Sequence, residues 1–376
     1  MRKKLSLILA SSMLALSLFA CGGAEAEKKV EEKTEDVKGE VKEEAEDIKE
    51  DAKDVKEDVE EKLEGELNVI ATSDKYSELF DKFTEEKGVK VNILSMSSGD
   101  VLSKIKAEDG KPAADLWFGG GIDAFMKAAS DGLLAPITAK AADRIAAEYK
   151  DENGLWITKG LTIVGFIANN DRLEELGLEA PKTWDDLTNT QYKDEIIMSN
   201  PAISGTNYAV VNALLQTKGE EAGWDFFKAL NENIPFYGKR GSDPSTRTAQ
   251  GDFAVGITYI DGTLDEKVEE NNLSIIYPED GMPYVPEGVA IYNNAPNLEN
   301  AEAFIEWLYG NDENLKKLGE IDQKNTIAAI VPGIEGIEIN YDPETIMKED
   351  LTLFGAQREE ILNKWKEIAG EKGEDK

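Results

Sequence analysis

The chain contains no histidine and a single cysteine among 376 residues. Those two shortages remove the Ser-His-Asp and Cys-His arrangements that activate most protein nucleophiles. They also remove any internal disulfide and the paired ligand spacings of zinc sites. No Walker phosphate loop is found either. Carboxylate pairs leave glycoside chemistry as a minor alternative, but the expectation is a protein that is not an enzyme, with no cofactor and no resident metal. Basic residues are scarce too: 42 Lys and Arg stand against 76 Asp and Glu, a formal net charge of −34. Binding a phosphate backbone needs Lys and Arg clustered on one face, so nucleic acid is not an expected partner. The apolar run from Leu5 to Phe19 has 15 residues, fewer than the roughly 20 that span the hydrocarbon of a bilayer.

That short run is informative in its context. Arg2, Lys3 and Lys4 precede it, and it ends in Leu18-Phe19-Ala20-Cys21, the pattern of a lipoprotein signal peptide over residues 1–20 whose removal leaves Cys21 to be lipidated. An ordinary signal peptide with an incidental cysteine is the alternative. Acyl chains contribute about 0.8 kcal/mol per buried methylene, so several chains on Cys21 would hold the mature protein on a membrane, facing the periplasm or the cell exterior.

From Ala24 to Glu66 the chain carries 20 acidic and 9 basic residues and no aromatic, a composition that cannot build a core. Val37, Val41, Ala45, Ile48, Ala52, Val55, Val59 and Leu63 nevertheless recur at helical spacing. Residues 21–66 therefore read as an acidic stalk, either a solvated helix or a disordered tether.

The 310 residues from Leu67 to Lys376 exceed what one core usually supports, which predicts two lobes. Strand-like and helix-like segments alternate: Leu67–Ala71, a helix striped by Tyr76, Leu79, Phe80 and Phe83, Val89–Leu94, a second helix, Asp115–Phe118, then Gly119-Gly120-Gly121 and a third helix. This βαβαβα order predicts an α/β fold with a parallel sheet covered on both faces. Glu195–Met198, a helix from Thr206, and Phe253–Tyr259 predict a second α/β unit.

Chemistry is expected where strands end and helices begin. Thr72-Ser73-Asp74, Ser97-Ser98-Gly99-Asp100, Gly119-Gly120-Gly121, Ser204-Gly205-Thr206 and Ser242-Asp243-Pro244-Ser245-Thr246 each place hydroxyls or glycine at a helix start. Free N–H groups and the positive end of the helix dipole suit an anion there. Each junction taken singly also reads as an ordinary N-cap. Ser204-Gly205-Thr206 stands out, because glycine between two hydroxyls lets an anion approach the backbone. A net charge of −34 does not forbid an anionic guest, since at ~0.15 M salt distant acids are screened beyond ~8 Å. Lys239, Arg240 and Arg247 bracket the Ser242 junction and offer either local cations or ordinary surface charges, Trp117 a stacking platform or a core residue, and Tyr208 a hydroxyl near Thr206.

The lipobox and the ordered series Ala114–Gly120, Pro181–Leu187, Asn200–Thr206, Gly251–Gly256, Pro278–Gly281, Gly288–Ile291 and Ala295–Asn297 resemble the extracytoplasmic solute-binding proteins of ABC importers. The resemblance lies in the cluster that holds receptors for ferric iron and for phosphorylated solutes. It implies a type II periplasmic-binding-protein fold, two lobes joined by crossover strands near Leu161–Ala168 and Pro286–Tyr292. The corresponding division is lobe 1 over 67–167 and 286–335, lobe 2 over 168–285, and C-terminal helices over 336–376. It further implies a monomer that closes on a small anionic solute and delivers it to an ABC permease. Iron-binding members present two adjacent tyrosines where this chain has Tyr259-Ile260-Asp261. A phosphorylated organic solute is therefore the first expectation and ferric iron the alternative, with a structural surface lipoprotein behind both. The expected ligand-binding set is Ser73, Ser98, Gly119, Gly120, Ser204, Gly205, Thr206, Tyr208, Ser242 and Tyr259, with Asp261 and Glu287 for the polar remainder of the solute.

Overall fold

A computed structural model describes residues 63–373 apart from 97, 109–111 and 340. The signal peptide, Cys21 and nearly all of the acidic stalk lie outside the described residues. The chain opens with β1 (Glu66–Ala71), α1 (Ser77–Lys87), β2 (Lys90–Ser95), α2 (Ser98–Ala107), β3 (Leu116–Gly121), α3 (Ile122–Ser130) and the short β4 (Leu134–Ala135). As the sequence predicts, β1 pairs in parallel with both β2 and β3. The apolar stripe of α1 buries Leu79, Phe80 and Phe83 against the sheet, and the helix stops at Gly88, whose φ of 83° suits only glycine without strain.

The next strand, β5 (Ile157–Asn169), is 13 residues long and almost wholly buried. It leads through α4 (Asn170–Leu176), β6 (Ile196–Met198), α5 (Gly205–Lys218), α6 (Glu220–Asn233), α7 (Asp243–Ala249), β7 (Val255–Ile260), α8 (Asp265–Asn271) and β8 (Leu273–Ile276) to β9 (Tyr284–Tyr292). All nine strands form one sheet in the order β2-β1-β3-β9-β5-β7-β6, with β4 added on β9 and β8 on β5. The sheet is mixed: β9 runs antiparallel to β3 and β5, and β7 antiparallel to β5. Strands that carry the chain from one lobe to the other and back must run in opposite directions, so they interrupt the parallel order expected from the first lobe.

These two crossovers divide the core. On β5, Ile157, Leu161 and Ile163 belong to a first buried cluster with β1–β3, whereas Val164, Phe166 and Ala168 belong to a second with β6, β7, α5 and α6. The changeover falls between Ile163, opposite Tyr284 of β9, and Val164, opposite Tyr259 of β7. After β9 come α9 (Leu298–Gly310), α10 (Asp312–Asp322), α11 (Ile327–Ile330), α12 (Leu351–Ala356) and α13 (Arg358–Ala369). The approach to α12 touches both clusters: Ile346 and Leu351 pack in the first, Met347 and Phe354 in the second. Alongside, Met282 N donates to Thr345 O and Met347 N donates to Met282 O.

Candidate ligand-binding cleft

A cavity of about 620 Å³ opens between the lobes where the strands end. Its second-lobe wall is built by the start of α5. Ser204, in an extended conformation, caps the helix by accepting from Asn207 N at 3.3 Å. Its Oγ also lies 3.0 Å from Thr206 Oγ1 and accepts from Asn207 Nδ2 at 3.1 Å. The first N–H groups of a helix have no partner within it, and Gly205 and Thr206, which open α5, line the cavity. A Cβ placed on Gly205 would meet nothing within 4 Å, so the approach to this backbone is open. Gly241, Tyr259 and Asp261 complete the wall. Asp261 uses Oδ1 to accept from Thr263 N at 3.0 Å and Thr263 Oγ1 at 2.5 Å. Burial, then the neighbouring Asp261 carboxylate, pushes the Tyr259 hydroxyl pKa up, keeping it a neutral donor.

The first-lobe wall comes from the end of β1 and the end of β3. Ser73 caps the single turn Asp74–Tyr76 by accepting from Lys75 N at 3.3 Å, and Thr72, Lys75 and Tyr76 face the cavity with it. Gly119 and Gly120 have φ of 89° and 102°, and the register with β9 slips between Phe118 and Gly121. This glycine bulge swings Gly120 and Gly121 into the cavity wall. Gly119 itself is pressed against the wall's underside, where a Cβ would lie 2.5 Å from Thr72 Oγ1.

The floor is charged. Lys159 lies at a register slip in β5, between Thr158 and Gly160, and its side chain is fully buried. It reaches Glu287 of β9 at 2.6 Å and Asp322 at the end of α10 at 2.5 Å. Asp322 also accepts from Tyr76 Oη at 2.8 Å and pairs with Lys75 at 2.9 Å. Glu287 also accepts from Thr162 Oγ1 at 2.6 Å and from Lys324. A lone buried charge would be prohibitive, and mutual pairing is what permits three here. Burial alone would raise both carboxyl pKa values, but the lysines outweigh it, Lys159 foremost, and hold Glu287 and Asp322 below the ordinary carboxylate range. Burial would likewise lower Lys159, yet Asp322 and then Glu287 keep it well above the ordinary lysine value.

Of the residues expected from sequence, Ser73, Gly120, Ser204, Gly205, Thr206, Tyr259, Asp261 and Glu287 line this cavity. Ser98 opens α2, and its side chain lies outside the described residues. The expectation for Tyr208 is corrected: its ring is buried, and its hydroxyl donates to Phe354 O at 2.7 Å. Residue i+2 of a helix points roughly 200° away from residue i, so a cleft-facing Thr206 turns Tyr208 inward. Ser242 is half-buried beside the cavity rather than in its lining; its neighbour Gly241 lines the cavity, while Ser242 supplies a carbonyl to Ser245 Oγ and Thr246 N. Trp117 is core, stacked on Phe125 at 3.9 Å. Glu287 lies in the middle of β9, and both its oxygens are engaged by the floor network. Arg247 lies over Phe236 and pairs with Asp252, away from the cavity lining. The cations at the cleft are instead Lys75, Lys324 and, beneath them, Lys159, which the motif reading missed. Lys159 did leave a signal, a charge inside the apolar run Ile157–Ala168, since a buried strand tolerates lysine only when it is paired.

A family model described as bacterial extracellular solute-binding protein matches residues 111–316. An uncharacterised protein of Haemophilus influenzae is 32% identical over 299 residues, covering 75% of this chain and 84% of that one. Iron uptake protein A1 of Synechocystis is 26% identical over 247 residues, 62% of this chain and 67% of its own. Among solved structures, the periplasmic binding protein AfuA of Actinobacillus pleuropneumoniae, bound to fructose 6-phosphate, superposes with a TM-score of 0.68. It shares 28% identity over 82% of this chain and 99% of its own.

Proposed function

Since the chain belongs to the bacterial extracellular solute-binding proteins, we propose that its solute is a small phosphorylated organic compound. It is the substrate-binding component of an ABC transporter and works outside the cytoplasm. The observation that carries the proposal is the start of α5, where Ser204, Gly205 and Thr206 present hydroxyls and helix N–H groups to a cavity that also holds Lys75 and Lys324. A helix N-terminus with neighbouring cations favours a phosphate group. The organic part of the solute would meet Ser73, Tyr259 and the Asp261 oxygen not engaged by Thr263. Glu287 would act on it through Lys324. The lobes close on the solute about β5 and β9, with binding energy shifting the open and closed populations. Cys21 would carry the lipid that tethers a monomeric receptor beside its permease.

Ferric iron is the competing cargo, given the Synechocystis relative. The donor set supports it less. Fe(III) favours several anionic oxygens, whereas Glu287 and Asp322 are each held by lysines and, of the two tyrosines lining the cavity, Tyr76 already donates its hydroxyl to Asp322. The test is thermal denaturation of the soluble region from Leu67 with fructose 6-phosphate, fructose, inorganic phosphate or ferric citrate. A ligand that binds only the folded state stabilises it by about 2.7 kcal/mol at a hundredfold excess over Kd. Stabilisation by fructose 6-phosphate or phosphate, with none by ferric citrate, is expected; the reverse pattern would reassign the receptor to iron.

A further inference from the structure

We infer that Lys75 is the cation that takes the solute's anionic group, by exchanging Asp322 for the solute when it binds. This rests on the phosphate reading above. The charged residues lining the cavity are Lys75 and Lys324 against Asp261, Glu287 and Asp322. Counting Lys159 beneath them, positive and negative charges balance, so no cation stands waiting for a guest. A phosphate entering this cleft meets three carboxylates unless one lysine changes partner.

The geometry selects which. Lys159 is fully buried and bridges both acids. Lys324 is 9% exposed and is held by Glu287 and by Thr162 Oγ1, the latter at 3.1 Å. Lys75 is 42% exposed, makes one ion pair, and sits on the single turn at the lip of the first lobe. Its departure also strands nothing. Asp322 Oδ1 keeps the Tyr76 hydroxyl at 2.8 Å, and Oδ2 keeps Lys159 at 2.5 Å. A buried carboxylate left without a cation is the expensive event in breaking such pairs, and Lys159 prevents it here. Tyr76 supports the exchange as well, its ring lying 5.1 Å beneath the Lys75 ammonium and offering that charge a face to slide across.

The exchange makes Lys75 a determinant of solute charge rather than of fold. Calorimetric titration of fructose 6-phosphate into the wild type, Lys75→Met, Lys75→Gln and Lys75→Arg, each at low and high NaCl, tests it. Both neutral variants should lose affinity by about tenfold or more, the scale of a charge-assisted hydrogen bond, and show a shallower salt dependence. Lys75→Arg should retain most of the affinity. Melting of the unliganded variants should stay close to wild type, because a half-exposed ion pair contributes little. Unchanged affinity and salt slope in both neutral variants would overturn the exchange while leaving the phosphate reading intact. A wild type that binds neither fructose 6-phosphate nor inorganic phosphate would overturn that reading and the exchange with it.

Discussion

On the second-lobe side the cleft is lined by Ser204, Gly205, Thr206, Gly241 and Tyr259, groups with dipoles but, Asp261 aside, no formal charge. On the first-lobe side and the floor, the lining adds to uncharged groups such as Ser73 and Gly120 four charged side chains, Lys75, Glu287, Asp322 and Lys324, tied to one another through Lys159. The first arrangement is local, since three consecutive residues and one helix start make most of it. The second draws on positions as far apart as Tyr76 and Asp322, 246 residues along the chain, and exists only after both crossovers are in place. A polar wall made of backbone and hydroxyls is inexpensive to fold, because it holds no buried charge. A charged floor is stable only while its buried acids keep a cation, so loss of the buried Lys159 should act on folding, whereas changes at the half-exposed Lys75 and on the opposite wall should act mainly on binding.

The strongest test of that contrast is Lys159→Met. It leaves Glu287 and Asp322 without their buried cation, and urea unfolding should show a loss of about 3–5 kcal/mol, the cost of breaking such a pair from one side; a loss below about 1 kcal/mol would break the comparison. The floor also predicts acid sensitivity. Glu287 and Asp322 have folded pKa values below their unfolded ones. Their stabilisation is therefore present above about pH 4, the unfolded value, and is lost as pH falls toward the folded values. Across the cleft, Ser204→Ala with Thr206→Val should weaken fructose 6-phosphate binding by about tenfold or more while lowering stability by only about 1 kcal/mol, the worth of an N-cap. Equal affinity would remove these residues from the site.

The smallest effect sharpens the comparison with a carboxyl that has no lysine. Glu349, near α5 and β9, accepts from Asn212 Nδ2 at 3.1 Å, and its other oxygen is buried without a partner. Burial pushes its pKa up to about 8, the opposite direction from Glu287. A raised folded pKa means its contribution is greatest below the unfolded value of about 4.3 and is lost as pH rises towards 8. Glu349→Gln removes that titration, so the variant should gain on the wild type progressively from about pH 4.5 to about 8. A pH-independent difference in melting temperature would contradict the burial argument.

The same contrast explains what could be read from the amino acids. The α1 stripe, the three opening strands and the cap at Ser204 are written in short windows, because helical and strand periods and N-caps are local rules. The two lobes followed from chain length, and the crossovers from resemblance to a family. The cleft's cations were not singled out because proximity in sequence was the only guide: Lys239, Arg240 and Arg247 flank a promising junction, whereas Lys75, Lys159 and Lys324 converge only in the folded sheet. Lys159 was the legible exception, a charge placed in an otherwise apolar strand. Tyr208 was misread by counting residues without turning the helix.

The segment before α12 gives the lobes a third tie. Ile346 and Leu351 anchor in one core and Met347 and Phe354 in the other, so the polypeptide passes between the halves once more after β5 and β9. Two ribbons lying side by side in a sheet still allow the halves to twist as well as swing. An additional strap narrows that freedom toward a single axis, as a door moves, so the walls that grip the solute should meet in the same alignment each time they shut.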